Sequence, residues 1–158
     1  MLDRDKIEIR ELKLSEIEDG VQLIWEVFQE FVAPDYMQEG IDVFYEEFVQ
    51  GEWFRAKFAS RKEIMYGAFI EDILVGVLCL SEKNTVSCVF IDGNYHRMGI
   101  GKELFYAIIE KLHNKGVKRI TLNASPYAVP FYHHIGFVDI GIQTEYKGIV
   151  YTPMELLL

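Results

Sequence analysis

Two stretches of this chain hold residue types and spacings that could do chemistry. The first is His96-Arg97-Met98-Gly99-Ile100-Gly101-Lys102, in which two glycines one residue apart sit among basic side chains. Where such a loop opens a helix, its backbone N–H groups are free donors at the positive end of the macrodipole, and they favour an anion such as a phosphate. Glycine suits these positions because a missing Cβ lets ligand and backbone approach closely. The second stretch is Asn123-Ala124-Ser125-Pro126, followed by Tyr132 and Gly136-Phe137. A tyrosine hydroxyl ordinarily has a pKa of about 10, so near neutrality it can donate a proton to a departing anion.

Spacing narrows the phosphate reading. A dinucleotide fingerprint needs a third glycine three residues after the second, and Leu104 stands there. A nucleotide-triphosphate loop needs Ser or Thr after Gly-Lys and a glycine five residues earlier; here Glu103 and His96 occupy those places. Metal chemistry has no support either. His133 and His134 are adjacent and diverge by about 100° on a helix, while His96 and His113 lack ligand spacing, so all four are expected on the surface or at caps. Cys79 and Cys88 face each other across a hairpin if Lys83-Asn84 is its turn, and free thiols are expected of them in a reducing compartment. For the general base, Asp92, Glu47 and a water held by Asn123 or Ser125 all stay open.

These residues need elements to position them. Val89-Phe90-Ile91 ends an apolar, β-branched run over 85–92, which is a strand. Gly93-Asn94 stops it, and after the glycine pair Leu104, Phe105, Ile108, Ile109 and Leu112 share one helical face up to Gly116. A strand over 119–123 follows, so the unit is βαβ with parallel strands and a right-handed crossover. Upstream, 6–12 alternates as a strand, and Ser15 with Glu18 forms a capping box. Ile17, Val21, Ile24, Phe28 and Phe31 continue as a long helix to Ala33-Pro34. A second helix turns Ile41, Phe44, Tyr45 and Phe48 inward. Its acidic face (Glu39, Asp42, Glu46) is read as solvated, with a substrate entrance as the alternative. Residues 51–63 suggest a loop or short helix, with Trp25 and Trp53 as core or lid aromatics. Strands over 65–70 and 73–80 meet at Glu71-Asp72; a short helix over 125–134 begins at Pro126; strands follow from Gly136-Phe137 and over 148–156.

The whole chain fits one mixed α/β (α+β) domain spanning 1–158. Of its 158 residues 50% are hydrophobic and 26% charged, and the net charge of −9 opposes nucleic-acid binding. No apolar run is long enough to cross a bilayer and no signal core is evident, so no membrane partner and a cytoplasmic location are expected. The strand Ile149-Val150-Tyr151 offers an exposed edge for a homodimer.

His96-Arg97-Met98-Gly99-Ile100-Gly101 closely resembles the pyrophosphate loop of the GNAT superfamily of acetyl-CoA-dependent N-acetyltransferases, Gln/Arg-x-x-Gly-x-Gly/Ala, with His96 as a departure at its first position. Asn123, Tyr132 and Gly136-Phe137 are similar to the superfamily's second landmark, and the element order matches from Ile7 to Leu156. The resemblance implies a central mixed, twisted sheet of about seven strands flanked by about four helices and splayed between the fourth and fifth strands. It implies acetyl-CoA as co-substrate and a small amine or peptide as acceptor. Val89, Phe90 and Ile91 would pair with the pantetheine arm, and one of their N–H groups would polarise the thioester. Arg97, Met98, Gly99, Ile100, Gly101 and Lys102 would hold the pyrophosphate, and Asn123 the arm or a water. Tyr132 would be the general acid, and the variable region between the first two helices would shape the acceptor site. An acyl-CoA-binding sensor without catalysis, or a transferase of another acyl group, are the alternatives.

Overall fold

Period-two apolar runs and amphipathic helices alternate along the chain, and each buries its apolar side against one sheet. The computed structural model describes residues 6–158; residues 1–5 of the expected 1–158 unit lie outside the described residues. The elements are β1 (Ile7–Glu11), α1 (Ile17–Val27), α2 (Gln38–Phe44), α3 (Glu52–Ala59), β2 (Glu63–Ile70), β3 (Ile73–Ser81) and β4 (Thr85–Ile91), then α4 (Ile100–Asn114), β5 (Arg119–Ala124), α5 (Val129–Ile135), β6 (Val138–Asp139), β7 (Thr144–Tyr146) and β8 (Ile149–Leu157). The strands order as β1-β2-β3-β4-β5-β8-β6, with β7 paired to β8. Among the described residues only β4 and β5 pair in parallel, as the βαβ crossover requires. One face of the sheet packs on Ile100, Leu104, Phe105 and Ile108 of α4 and on Tyr132 of α5. The other packs on Val21, Ile24 and Phe28 after α1 and on Phe54 and Phe58 of α3.

The expected mixed sheet, with its fourth and fifth strands parallel, is present; it has eight strands and five helices among the described residues, where about seven and about four were expected. Local details differ. The additional helix is α3, the segment left between loop and helix. The additional strand is β7, whose polar sequence hides it; Lys147 (φ 52°) and Gly148 (φ 80°) turn it back onto β8. Thr144, Glu145 and Tyr146 pair with Tyr151, Val150 and Ile149, so the supposed exposed edge of the last strand is covered. Ser15 and Glu18 form no capping box, because the chain enters α1 through a 3₁₀ turn (Leu14–Glu16) and the α-helix starts only at Ile17. Glu16 instead accepts from the Lys13 N–H (2.8 Å) and from Arg10 (2.9 Å), while Glu18 pairs with Arg55 of α3. The short helix begins at Val129 rather than 125, with Pro130 in its first turn; the Ser125 carbonyl accepts from Ala128 and Val129 in the preceding turn. Among the described residues no helix is long and apolar enough to cross a membrane.

Both α1 and α2 end in a π-helical turn, over Phe28–Val32 and Tyr45–Val49. The wider turn breaks the 3.6-residue phase, so Phe28 is fully buried while Phe31 swings to the half-exposed side. Both of these turned segments border the site described next.

Candidate active site

The site exists because a strand pair comes apart. The β4–β5 ladder holds only at Thr85 opposite Thr121 and Val86 opposite Leu122, where the two threonine hydroxyls stand 2.9 Å apart. Beyond that vertex β5 stays paired with β8 along its length, whereas β4 diverges. A cleft of about 560 Å³ opens between them. Its floor is the β4 segment from Ser87 to Ile91, its far bank is Asn123, and its mouth is the glycine loop. Unpaired backbone along one strand edge is a template for an extended chain. Within β4 the register slips: Cys79 faces Cys88 but Leu80 faces Val86, leaving Ser87 as a bulge residue. Cys79 and Cys88 face each other, as their spacing suggested, and both thiols are free.

The loop is built for close approach. Gly99 caps α4 in the left-handed conformation (φ +82°), and a Cβ there would meet nothing within 4 Å, so the requirement is one of backbone conformation. At Gly101 a Cβ would come within 3.0 Å of the Phe131 ring, so the helix can sit this close to α5 only without a side chain. The first N–H groups of α4 lack intrahelical acceptors and lie at the mouth. Arg97 (itself at φ 63°) and half-buried Lys102 line the cleft beside them. Met98 is 47% exposed and is absent from the cleft lining. Of the other residues singled out in the sequence, Val89, Phe90, Ile91, Arg97, Gly99, Ile100, Gly101, Lys102, Asn123 and Tyr132 all reach one wall or another of this single cleft.

Tyr132 is 7% exposed and packs edge-on against Phe105, Phe131 and Phe137, with ring centroids 5.4 to 5.7 Å apart. Burial, and secondarily the nearby Cys88 thiol, push its pKa well above the ordinary value, so the hydroxyl keeps its proton. The aromatic cage therefore fixes the ring and preserves a proton donor at the cleft wall.

Other groups in the cleft were not expected among its walls. His96, expected at the surface or a cap, stands in the lining; its Nε2–H donates to the Ile91 carbonyl (2.7 Å) and its ring lies 4.4 Å from that of Phe31. Tyr127 closes the same group, its hydroxyl 3.5 Å from His96 Nδ1. The remaining wall comes from the π-turn of α1, the following segment and α2: Val27, Phe28, Phe31, Val32, Tyr36 and Phe44. Phe28 and Phe44 stack at 3.8 Å, and burial raises the Tyr36 hydroxyl to about 12. The acidic face of the second helix stays outside: Glu39, Asp42 and Glu46 are exposed, and none borders the cleft. Among the described residues no Asp or Glu lines the cleft at all. Glu47 is exposed elsewhere, and Asp92 accepts from the Asn94 N–H and faces a separate groove with Glu16 and Asp19.

One carboxylate lies just behind the floor. Glu63, at the start of β2, is 4% exposed; its Oε1 accepts from Ser87 Oγ–H (2.8 Å) and its Oε2 has no partner. Burial raises its pKa, against lowering by the Ser87 hydrogen bond and by Lys57.

Comparisons with known proteins agree with this geometry. The family model described as an acetyltransferase (GNAT) domain matches residues 32–158. An uncharacterized N-acetyltransferase ycf52 of Gracilaria tenuistipitata var. liui is 39% identical over 70 residues, which is 44% of this chain and 37% of that protein's length. The PaiA N-acetyltransferase of Thermoplasma acidophilum, solved in complex with coenzyme A, superposes with a TM-score of 0.78 at 22% identity, covering 96% of this chain and 99% of the other. A GCN5-related N-acetyltransferase from Rhodopseudomonas palustris gives 0.83 at 16% identity, over 100% and 99% of the two chains. The ribosomal-protein-S18-alanine N-acetyltransferase of Escherichia coli gives 0.64 at 16% identity, over 96% and 93%. At such identities the superpositions speak for the fold.

Proposed function

This chain belongs to the GNAT acetyltransferase family, and on that premise we propose that it moves an acetyl group from acetyl-CoA to a primary amine by direct attack in a ternary complex. The observation that carries the reading is the cleft itself. A free strand edge runs from the N-terminus of a glycine-capped helix to a buried, protonated tyrosine. Acetyl-CoA supplies a thioester whose carbonyl carbon the amine attacks. The N–H groups of Ile100, Gly101 and Lys102 receive the pyrophosphate, and the Arg97 and Lys102 cations add charge-assisted bonds. The β4 edge at Val89, Phe90 and Ile91 pairs with the arm, and one of its N–H groups polarises the carbonyl. Asn123 holds the arm from the opposite bank. Tyr132 gives its proton to the departing thiolate. This reading treats 1–158 as one catalytic unit working in the cytoplasm.

The acceptor side follows from the wall that the donor does not need. Val27, Phe28, Phe31, Val32, Tyr36 and Phe44 present apolar and aromatic surface, and the cleft lining includes no carboxylate among the described residues. A polyamine or aminoglycoside carries several cations that would lose water there without gaining counter-charges. An amine on an aromatic or aliphatic body fits. The test is a mass-spectrometric screen of the purified protein with acetyl-CoA and a pooled panel of 2-phenylethylamine, tryptamine, spermidine, kanamycin, free amino acids and short peptides. Acetylated product should appear first on the apolar amines and be lost in Tyr132→Phe. No product from protein that binds acetyl-CoA would overturn the transferase reading; preferential acetylation of spermidine would overturn the acceptor class alone.

A further inference from the structure

The transfer needs a proton acceptor for the attacking nitrogen, and the cleft lining contains no carboxylate among the described residues. Ser87 supplies a route out of it. The bulge leaves this residue unpaired with β3 and exposed at the cleft floor, yet its hydroxyl donates through the sheet's face to Glu63 Oε1 at 2.8 Å. Glu63 is the single described residue with a buried, partnerless side-chain oxygen. A buried carboxylate with one oxygen orphaned is costly, and a purely structural role would be served as well by a glutamine or an apolar side chain. Resting on the acetyltransfer reading, we infer that Glu63 is the terminal proton acceptor of the reaction, reached from the attacking amine through the Ser87 hydroxyl.

The proton balance closes. As the C–N bond forms and the C–S bond breaks, the nitrogen sheds one proton to Ser87 Oγ, whose own proton moves to Glu63 Oε1. Tyr132 protonates the thiolate and recovers a proton from solvent, to which Glu63 later returns its own. Net, one proton passes from nitrogen to sulfur. Ser87 sits next to Cys88, the residue whose thiol acts on Tyr132, so acceptor and donor flank one end of the cleft. The charged and titratable groups facing Glu63 are Lys57 from α3 and Cys79 from β3, with Cys88 hydrogen-bonded to Cys79 behind it. Lys57 favours the carboxylate and burial disfavours it more strongly. That net upward shift brings a carboxylate nearer to the working pH, where a general base is most effective. His96, at the mouth beside Ile91, is the rival acceptor.

The experiment uses the full chain with ¹³C-labelled glutamate, as wild type and as Glu63→Gln, Ser87→Ala and His96→Gln. Carboxyl NMR should reveal one glutamate titrating above the ordinary carboxylate range, absent in Glu63→Gln and moved further up in Ser87→Ala. With the best amine of the panel above, Glu63→Gln and Ser87→Ala should each lose about 10²-fold or more in kcat/KM. Both should lose the acid limb of the pH profile, and the double variant should lose little more. Calorimetric affinity for acetyl-CoA should stay within twofold throughout, and Glu63→Gln should melt no lower than wild type. An ordinary Glu63 titration, or an acid limb that survives Glu63→Gln and vanishes in His96→Gln, would overturn the relay while leaving the transferase intact. Failure of wild type to bind acetyl-CoA would overturn both.

Discussion

Removing one oxygen from Tyr132 is the sharpest probe of the mechanism. In Tyr132→Phe the ring keeps its edge-on contacts with Phe105, Phe131 and Phe137, so the cage and the cleft wall are preserved. Loss of a buried hydroxyl moves stability by about 1 kcal/mol, which for a chain of this size is a shift of about 2–4 °C in Tm. The chemical step loses far more. General-acid assistance is worth roughly 10²–10⁴-fold. A thiol has a pKa near 8.5 and leaves moderately well as the anion, so the lower end applies: about 10²-fold in kcat, or about 2.7 kcal/mol of barrier. Tyr132 is not among the groups assigned to the pyrophosphate, so KM for acetyl-CoA should stay within twofold. Burial holds the wild-type hydroxyl above its ordinary pKa. Deprotonation therefore begins only beyond about pH 10, and kcat should show no alkaline limb below that. Initial rates of thiol release from pH 6 to 10 measure all of this. A variant that keeps kcat within twofold of wild type, while melting within a few degrees of it, would refute the assignment.

Three further outcomes are expected. Gly99→Ala meets no neighbour but must hold φ at +82°, which costs about 1–2 kcal/mol. The variant should fold, melt lower and bind acetyl-CoA several-fold more weakly by calorimetry. Lys102→Ala and Arg97→Ala should raise KM for acetyl-CoA while leaving kcat nearly unchanged, and each should flatten its dependence on salt, because an interaction with pyrophosphate is screened. Glu16 is held at about 2 by the Arg10 hydrogen bond and then by the Lys13 N–H. Its folded pKa is depressed, so its contribution is present above the unfolded value of about 4.5. It is lost as pH falls from there toward about 2, and in Glu16→Gln the melting temperature should fall less steeply across that window.

Local spacing was enough to place the glycine pair at the start of a helix. The Gly99-Ile100-Gly101 loop lies between a β-branched run and a 3.6-period apolar face, so strand, loop and helix are all written in consecutive residues. Asn123 and Tyr132 are legible for the same reason, since each is tied to its element by sequence neighbours. Element ends were weaker. The 3₁₀ entry to α1, the late start of α5 and the polar hairpin strand β7 depend on turns whose conformation the apolar pattern does not report.

Other features were decided only when distant segments met. A period tells which side of an element is buried, and says nothing of which neighbour buries it. The cleft opens because the β4–β5 ladder stops after two pairs while β5 stays paired with β8 along its length, a competition between strands far apart in the chain. The aromatic wall needs the π-turns to rotate Phe31 out of the phase that Ile17, Val21 and Ile24 establish. Glu63 comes under Ser87 across 24 residues of sequence and one intervening strand, through a bulge that no local pattern marks. Sequence by itself pointed to the family and placed the glycine pair at the start of a helix and Tyr132 on a short one, because backbone conformation is local. Tertiary structure alone decided the aromatic cleft wall and the carboxylate behind the floor, because burial and the electrostatics it imposes belong to the packed neighbourhood.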